Sequence, residues 1–249
     1  MRRLAFLLLA LLTLPSLAAG LADYAREKKW AEEILPGVVV GDPVWPDAAG
    51  RKFLGLLAEP AGKARGALVL AHGIGVHPDW GLIGVLRTRL ADAGYATLSI
   101  QMPVLAADAK SDAYTPTFPE AAQRIAAAVR QLRDKGHAQV AVVAHSLGAR
   151  MALEYFSGGA AAPAGAFVAI GLSGPWPAKL PATLPVLDIY GSADLPQVLE
   201  GARQRKSGAP ARPKFSQSEV PGADHFFSGA EAQLADAIDR FLRPVFVQP

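Results

Sequence analysis

Three observations predict an α/β fold for this chain. Extended and helical patterns alternate almost to its end, short apolar runs of strand length are punctuated by Gly and Pro, and polar residues gather just past those runs. Alternation of this kind means parallel strands joined by crossover helices. The expectation is one mostly parallel central sheet of about eight strands, with helices on both faces. Composition agrees: 51% hydrophobic and 19% charged residues allow a substantial core, and the 20 prolines and 24 glycines are scattered rather than clustered. At 249 residues the chain permits one large domain or two small ones. Neither an internal repeat nor a linker divides it.

The first residues read as a leader rather than as part of the fold. Met1-Arg2-Arg3 supplies positive charge and Leu4 to Leu14 an 11-residue, largely apolar stretch. Small residues then surround a cleavage point after Ala18, Ala19 or Ala22. Residues 1–22 are therefore expected to be a signal peptide and 23–249 a single domain, in the periplasm or outside the cell. Eleven residues are too few to span a bilayer comfortably, which argues against a retained membrane anchor. The absence of cysteine excludes disulfides, a lipid anchor through that residue and every thiol mechanism. The formal charge is +3, or +1 without Arg2 and Arg3, which leaves no basic face for nucleic acid. Oligomeric state is unreadable, with a monomer as the default.

Along the body of the chain, Lys52–Ala58 and Ala67–Ala71 read as strands, and Leu82–Ala93 as a helix closed by Gly94. Tyr95–Gln101 is the next strand. Pro119–Lys135 is a helix with apolar residues at Ile125, Val129 and Leu132 and a stop at Gly136. A strand over Val140–Val143 leads through Ala144-His145-Ser146-Leu147-Gly148 into a helix from Ala149 to Phe156. Strands follow at Ala166–Leu172 and Val186–Tyr190, then a helix near Gln197–Lys206, a strand near Phe215–Val220 and a last helix from Ala230 to Leu242. Between Leu172 and Pro185 lie only about a dozen residues, too few for a helical cap domain.

The turn at Ser146 needs small residues two before and two after the serine, because strand and helix backbones approach closely there. It holds the hydroxyl clear of the sheet at a helix N-terminus. Such sheets bind ligands beyond the carboxyl ends of their strands. Three further polar clusters sit there: His72-Gly73-Ile74-Gly75, Gly191-Ser192-Ala193-Asp194 and Pro221-Gly222-Ala223-Asp224-His225. The glycines of the first let the backbone turn tightly and present N–H groups to an oxyanion. Ser146, Asp194 and His225 thus appear in that order, each just past a strand.

This order resembles that of the α/β-hydrolases, and the likeness runs from about Lys52 to Leu242. A narrower likeness, to an uncharacterised family of exported bacterial α/β-hydrolases, rests on Ile34-Leu35-Pro36-Gly37, Gln101-Met102-Pro103-Val104 and Gly222-Ala223-Asp224-His225-Phe226-Phe227. Ala144 departs from the commoner Gly, though some small bacterial lipases have Ala-His-Ser there. The resemblance implies Ser146 as nucleophile, His225 as general base and then acid, and Asp194 as the residue that orients the histidine. It implies the backbone N–H groups of Ile74 and Leu147 as the oxyanion hole, an ester or related acyl compound as substrate, and no cofactor.

Each role has a competing reading. Ser146 could cap its helix, Asp194 could cap the next, and Asp188 and Asp224 compete for the acid. His72 is expected to bond backbone beside the oxyanion loop, His145 to point away from the base, and His137 to be solvated. His77 lies near the presumed pocket mouth. No His/Asp/Glu spacing suggests a metal, and His72-Gly73-Ile74-Gly75 lacks the glycine and lysine of a nucleotide loop. The loop from Pro103 to Phe118 is the other possible cover. Trp80, Leu105, Tyr114, Trp176 and Phe226 are the candidate pocket walls.

Overall fold

The computed structural model describes residues 22–159, 163–208 and 214–247. Apart from Ala22, the leader expected over 1–22 lies outside the described residues. The described residues open with helix α1 (Tyr24–Ile34), capped by Asp23, whose side chain accepts from the N–H of Arg26. Three short strands follow, β1 (Asp42–Val44), β2 (Asp47–Ala48) and β3 (Arg51–Lys52), then β4 (Gly55–Ala58) and β5 (Ala67–Ala71). Next come α2 (Gly81–Asp92), β6 (Ala96–Ile100), α3 (Phe118–Asp134), β7 (Val140–His145) and α4 (Leu147–Ser157). The series ends with β8 (Ala166–Ile170), β9 (Val186–Gly191), α5 (Pro196–Ser207), β10 (Phe215–Val220) and α6 (Glu231–Val247).

Eight strands form one sheet in the order β1-β4-β6-β5-β7-β8-β9-β10, parallel from β6 to β10, with β4 antiparallel to both its neighbours. Strands β5 to β8 are buried along their whole lengths, which is why β5, β7 and β8 read as near-continuous apolar runs; β6 keeps Thr97 and Ser99, whose hydroxyls bond to Arg87. Their side chains still alternate between faces. Ala67, Val69 and Ala71 pack with α3 and α4 on one side, while Leu68 and Leu70 pack with α2 and α6 on the other. A shared parallel direction places the carboxyl ends of β5, β7, β8, β9 and β10 along one edge of the sheet. The β8–β9 connection contains no helix, and no cap domain covers this edge among the described residues.

Two elements differ from the sequence expectation. The strand expected over Lys52–Ala58 is split: β3 pairs with β2 in a separate hairpin, and only β4 joins the main sheet. The break at Phe53-Leu54 is fixed by bonds in two directions, Phe53 N–H to Pro46 O at 3.2 Å and Gln101 N–H to Leu54 O at 2.8 Å. The last helix continues beyond Leu242 to Val247 in spite of Pro244. Pro244 is exposed there, so its missing N–H costs a solvent-side bond, while Phe246 anchors the final turn. Its ring lies edge-on to Tyr95 at 5.9 Å, and a Cβ on Gly66 would sit 2.4 Å from it. Among the described residues no helix is long and apolar enough to cross a membrane.

Candidate active site

Ser146 stands between β7 and α4 with φ 54° and ψ −120°, a conformation that costs a non-glycine residue roughly 1–3 kcal/mol. Its N–H donates to Ile170 O at 2.8 Å, which pins the turn to the neighbouring strand. The small residue two places on is dictated by contact: a Cβ on Gly148 would lie 2.3 Å from the carbonyl oxygen of His72. Ser146 occupies the N-cap position of α4, yet its side chain makes no capping bond. The hydroxyl instead lies 2.9 Å from Nε2 of His225.

His225 sits on the loop after β10. The Asp224 carboxylate folds that loop by accepting from the N–H groups of Phe226 (2.9 Å) and Ser228 (3.0 Å). The imidazole Nδ1 is 2.6 Å from Oδ1 of Asp194, which also accepts from the N–H of Leu195 at 2.7 Å. With Nδ1–H donating to the carboxylate, Nε2 is left to accept from the serine. The competing acids are occupied elsewhere. Asp188 is wholly buried and held by Arg205 at 2.8 and 2.9 Å and by Gln217 at 2.8 Å, and Asp224 is spent on its own turn. Gly171, at the end of β8 with φ 59°, makes room for the pair: a Cβ there would fall 3.1 Å from the His225 ring and 3.4 Å from Asp194 Oδ2.

The loop after β5 approaches from the other side. A Cβ on Gly73 would stand 3.2 Å from His145 Nδ1 and 3.4 Å from the Ser146 Cβ, so glycine allows this backbone to reach Ser146. The buried His72 ring braces the loop. Its Nδ1 donates to Gly73 O at 2.8 Å and its Nε2 accepts from the N–H of Met102 at 3.0 Å. Ile74 and Leu147 both line a cavity of about 460 Å³ that opens on Ser146 and His225. The N–H of Leu147 is the first of α4 and has no acceptor within its own helix.

His145 does not point away from the base, as the sequence reading expects. Its Nε2 donates to the backbone carbonyl of His225 at 2.9 Å, and the two rings lie 4.9 Å apart. Strand alternation carries the signal that was missed, since His145 shares a face with Ala141 and Val143. Burial pushes His145 down to about 4 and His72 down to about 3, so both rings are neutral. Their folded values lie below the ordinary 6.5, so the unfolded chain takes up protons first as pH falls. Stability is expected to decline from about pH 6.5 toward pH 4, by ~1 kcal/mol per pH unit for each ring. Urea unfolding at pH 7, 6 and 5 checks this, and His145→Gln should flatten the slope.

Trp80 and Phe226 line the cavity and pack edge to face at 5.8 Å. The structure places Leu105, Tyr114 and Trp176 outside it. Tyr114 is buried in the core, its hydroxyl accepting from the N–H of Leu105 at 3.1 Å, and Leu105 packs on the same core. Trp176 lies against Phe215 and the Arg205 guanidinium and lines a neighbouring groove. An aromatic residue after a strand signals burial without giving direction, which accounts for all three. Sequence reading missed Leu82, Ile83, Ser111, Arg150, Ser173 and Gln197 among the cavity walls. The loop from Pro103 to Phe118 touches the cavity through Ser111. His77 packs against Trp30 at 5.7 Å, and His137 lies 3.4 Å from Glu59 at the surface. No cluster of His, Asp or Glu among the described residues could hold a metal ion.

Comparison with solved structures identifies the fold as that of the α/β-hydrolases. Est1E from Butyrivibrio proteoclasticus matches with a TM-score of 0.65 at 15% identity, covering 84% of this chain and 100% of that one. XC6422 from Xanthomonas campestris, described as an α/β serine hydrolase without lid, matches at 0.65 and 14% identity over 85% and 98%. Dienelactone hydrolase from Anabaena variabilis matches at 0.66 and 22% identity over 81% and 96%. A family model described as protein of unknown function (DUF3530) matches residues 41–122. No curated protein matches the chain.

Proposed function

We propose that this protein is a serine hydrolase that cleaves a carboxylic ester or related acyl bond through Ser146, His225 and Asp194. One observation carries the reading: a continuous relay from serine hydroxyl to imidazole at 2.9 Å and from imidazole to carboxylate at 2.6 Å, at the mouth of an open cavity. His225 takes the serine proton as Oγ bonds to the carbonyl carbon, and the N–H groups of Ile74 and Leu147 receive the oxyanion. Collapse breaks the bond to the leaving alcohol, which collects that proton from His225. Water, deprotonated by the same imidazole, then attacks the acyl-enzyme; as the bond to Ser146 Oγ breaks, that oxygen takes the proton back from His225 and the acid is released. Asp194 holds the tautomer and favours the imidazolium formed in both steps.

The cavity volume and its apolar walls at Trp80, Leu82 and Phe226 suit a short-to-medium acyl group. In this reading residues 1–22 direct export, and the hydrolase works in the periplasm or outside the cell on a small-molecule substrate. A fluorophosphonate probe tests the catalytic assignment without the natural substrate, because it reports an activated serine. Peptide mapping should find the adduct on Ser146, and His225→Ala should abolish it. Folded protein that takes no label would instead favour a non-catalytic binding protein built on this fold.

A further inference from the structure

Arg150 lies on α4 four residues after Ser146 and lines the catalytic cavity. Four residues advance a helix by about 6 Å on nearly the same face, and helical side chains lean back toward the N-terminus. The side chain thereby stays on the side of α4 that lines the cavity shared with Ser146. It is held there by a bond from Nη1 to Ser111 Oγ at 3.1 Å and by the Phe118 ring, 5.4 Å away. Among the described residues no carboxylate stands within ion-pair distance of it. Arg87, Arg124 and Arg205, by contrast, are each paired with an aspartate or glutamate. A single hydroxyl uses one of five guanidinium donors, and the remaining fork suits a planar or tetrahedral oxyanion.

A second feature lies at the same place. Arg150 and Ser173 line both the catalytic cavity and an adjoining groove of about 610 Å³, whose other walls include Trp176 and Lys179. The cleft therefore continues past Arg150, and a substrate longer than its scissile acyl group would cross the arginine. Other walls of the cavity are apolar, at Trp80, Leu82 and Phe226. We infer that Arg150 binds an anionic group, carboxylate or phosphate, on the substrate about one helical turn from the scissile carbonyl. The substrate class is then an amphipathic ester with one apolar and one anionic part. This rests on the serine hydrolase reading above.

Matched substrate pairs test it. Mono-p-nitrophenyl adipate against p-nitrophenyl hexanoate places a carboxylate on the acyl side. Hexanoyl glycerol 3-phosphate against monohexanoylglycerol places a phosphate on the leaving group. The protein should prefer the anionic member of at least one pair by about 10-fold or more in kcat/KM. Arg150→Met should reduce that ratio about 10-fold, mainly through KM, and Arg150→Lys should restore part of it. Whichever pair shows the preference identifies the anion. Turnover of the neutral esters with no preference in either pair, or a ratio unchanged in Arg150→Met, overturns the inference alone. An arginine that merely tethers the Ser111 loop would slow both members equally and leave the ratio unchanged. No turnover together with no label on Ser146 overturns the hydrolase reading and this inference with it.

Discussion

Ser146→Ala is expected to lower turnover of a p-nitrophenyl ester by about 10⁴-fold or more without unfolding the protein. The hydroxyl has one partner, His225 Nε2, and makes no capping bond that α4 would miss. Removing it should therefore cost chemistry rather than structure. The backbone adds a second expectation. A residue at φ 54° and ψ −120° is strained unless it is glycine. Ser146→Gly should be as inactive as Ser146→Ala yet more stable than it by about 1 kcal/mol in urea unfolding. Near-normal activity in either variant would remove Ser146 from the mechanism.

Asp194→Asn is expected to cost about 10⁴-fold in kcat. The carboxylate accepts from Nδ1 at 2.6 Å, whereas an amide can present its NH₂ there and favour the tautomer protonated on Nε2. Such an imidazole cannot accept the serine proton. Asp188→Asn serves as the contrast. It leaves the Arg205 guanidinium buried without its anion, so it should destabilise by about 3 kcal/mol while folded molecules keep their activity. A mild effect at Asp194 with a severe loss of turnover at Asp188 or Asp224 would move the acid elsewhere.

The mostly parallel sheet, and the placing of Ser146, Asp194 and His225 past its strand ends, were legible because they depend on features a sequence carries directly. Strands β5, β7 and β8 are buried on both faces, so their apolar runs are nearly unbroken. Ser146 follows such a run directly, whereas Asp194 and His225 follow strands that carry polar residues, and glycine turns at Gly191 and Gly222 mark them instead. Helix α1 was not legible: of its eleven residues only Glu27 and Ala31 are buried. Glu27 is anchored by Arg124, 97 residues away, at 2.9 and 3.1 Å, and no local pattern encodes a partner at that distance. Side-chain direction was the other gap. Tyr114 points into the core and Trp176 into the adjoining groove, because the loops that carry them turn in ways composition does not specify. For His145 the direction is encoded in the alternation of β7, which puts it on the face of Ala141 and Val143.

The uncovered edge of the sheet bears on the fate of the acyl-enzyme proposed above. Trp80 and Phe226 stand at the cavity mouth 40% and 48% exposed, and no cap domain closes over them among the described residues. Closure is one way in which an enzyme keeps water from a reactive intermediate. Here bulk solvent, at tens of molar, would compete with any alcohol or amine acceptor throughout the lifetime of the intermediate. An acceptor could prevail only by being held in place, since residence beside the ester is worth a high effective concentration. Without such residence this architecture partitions toward the free acid.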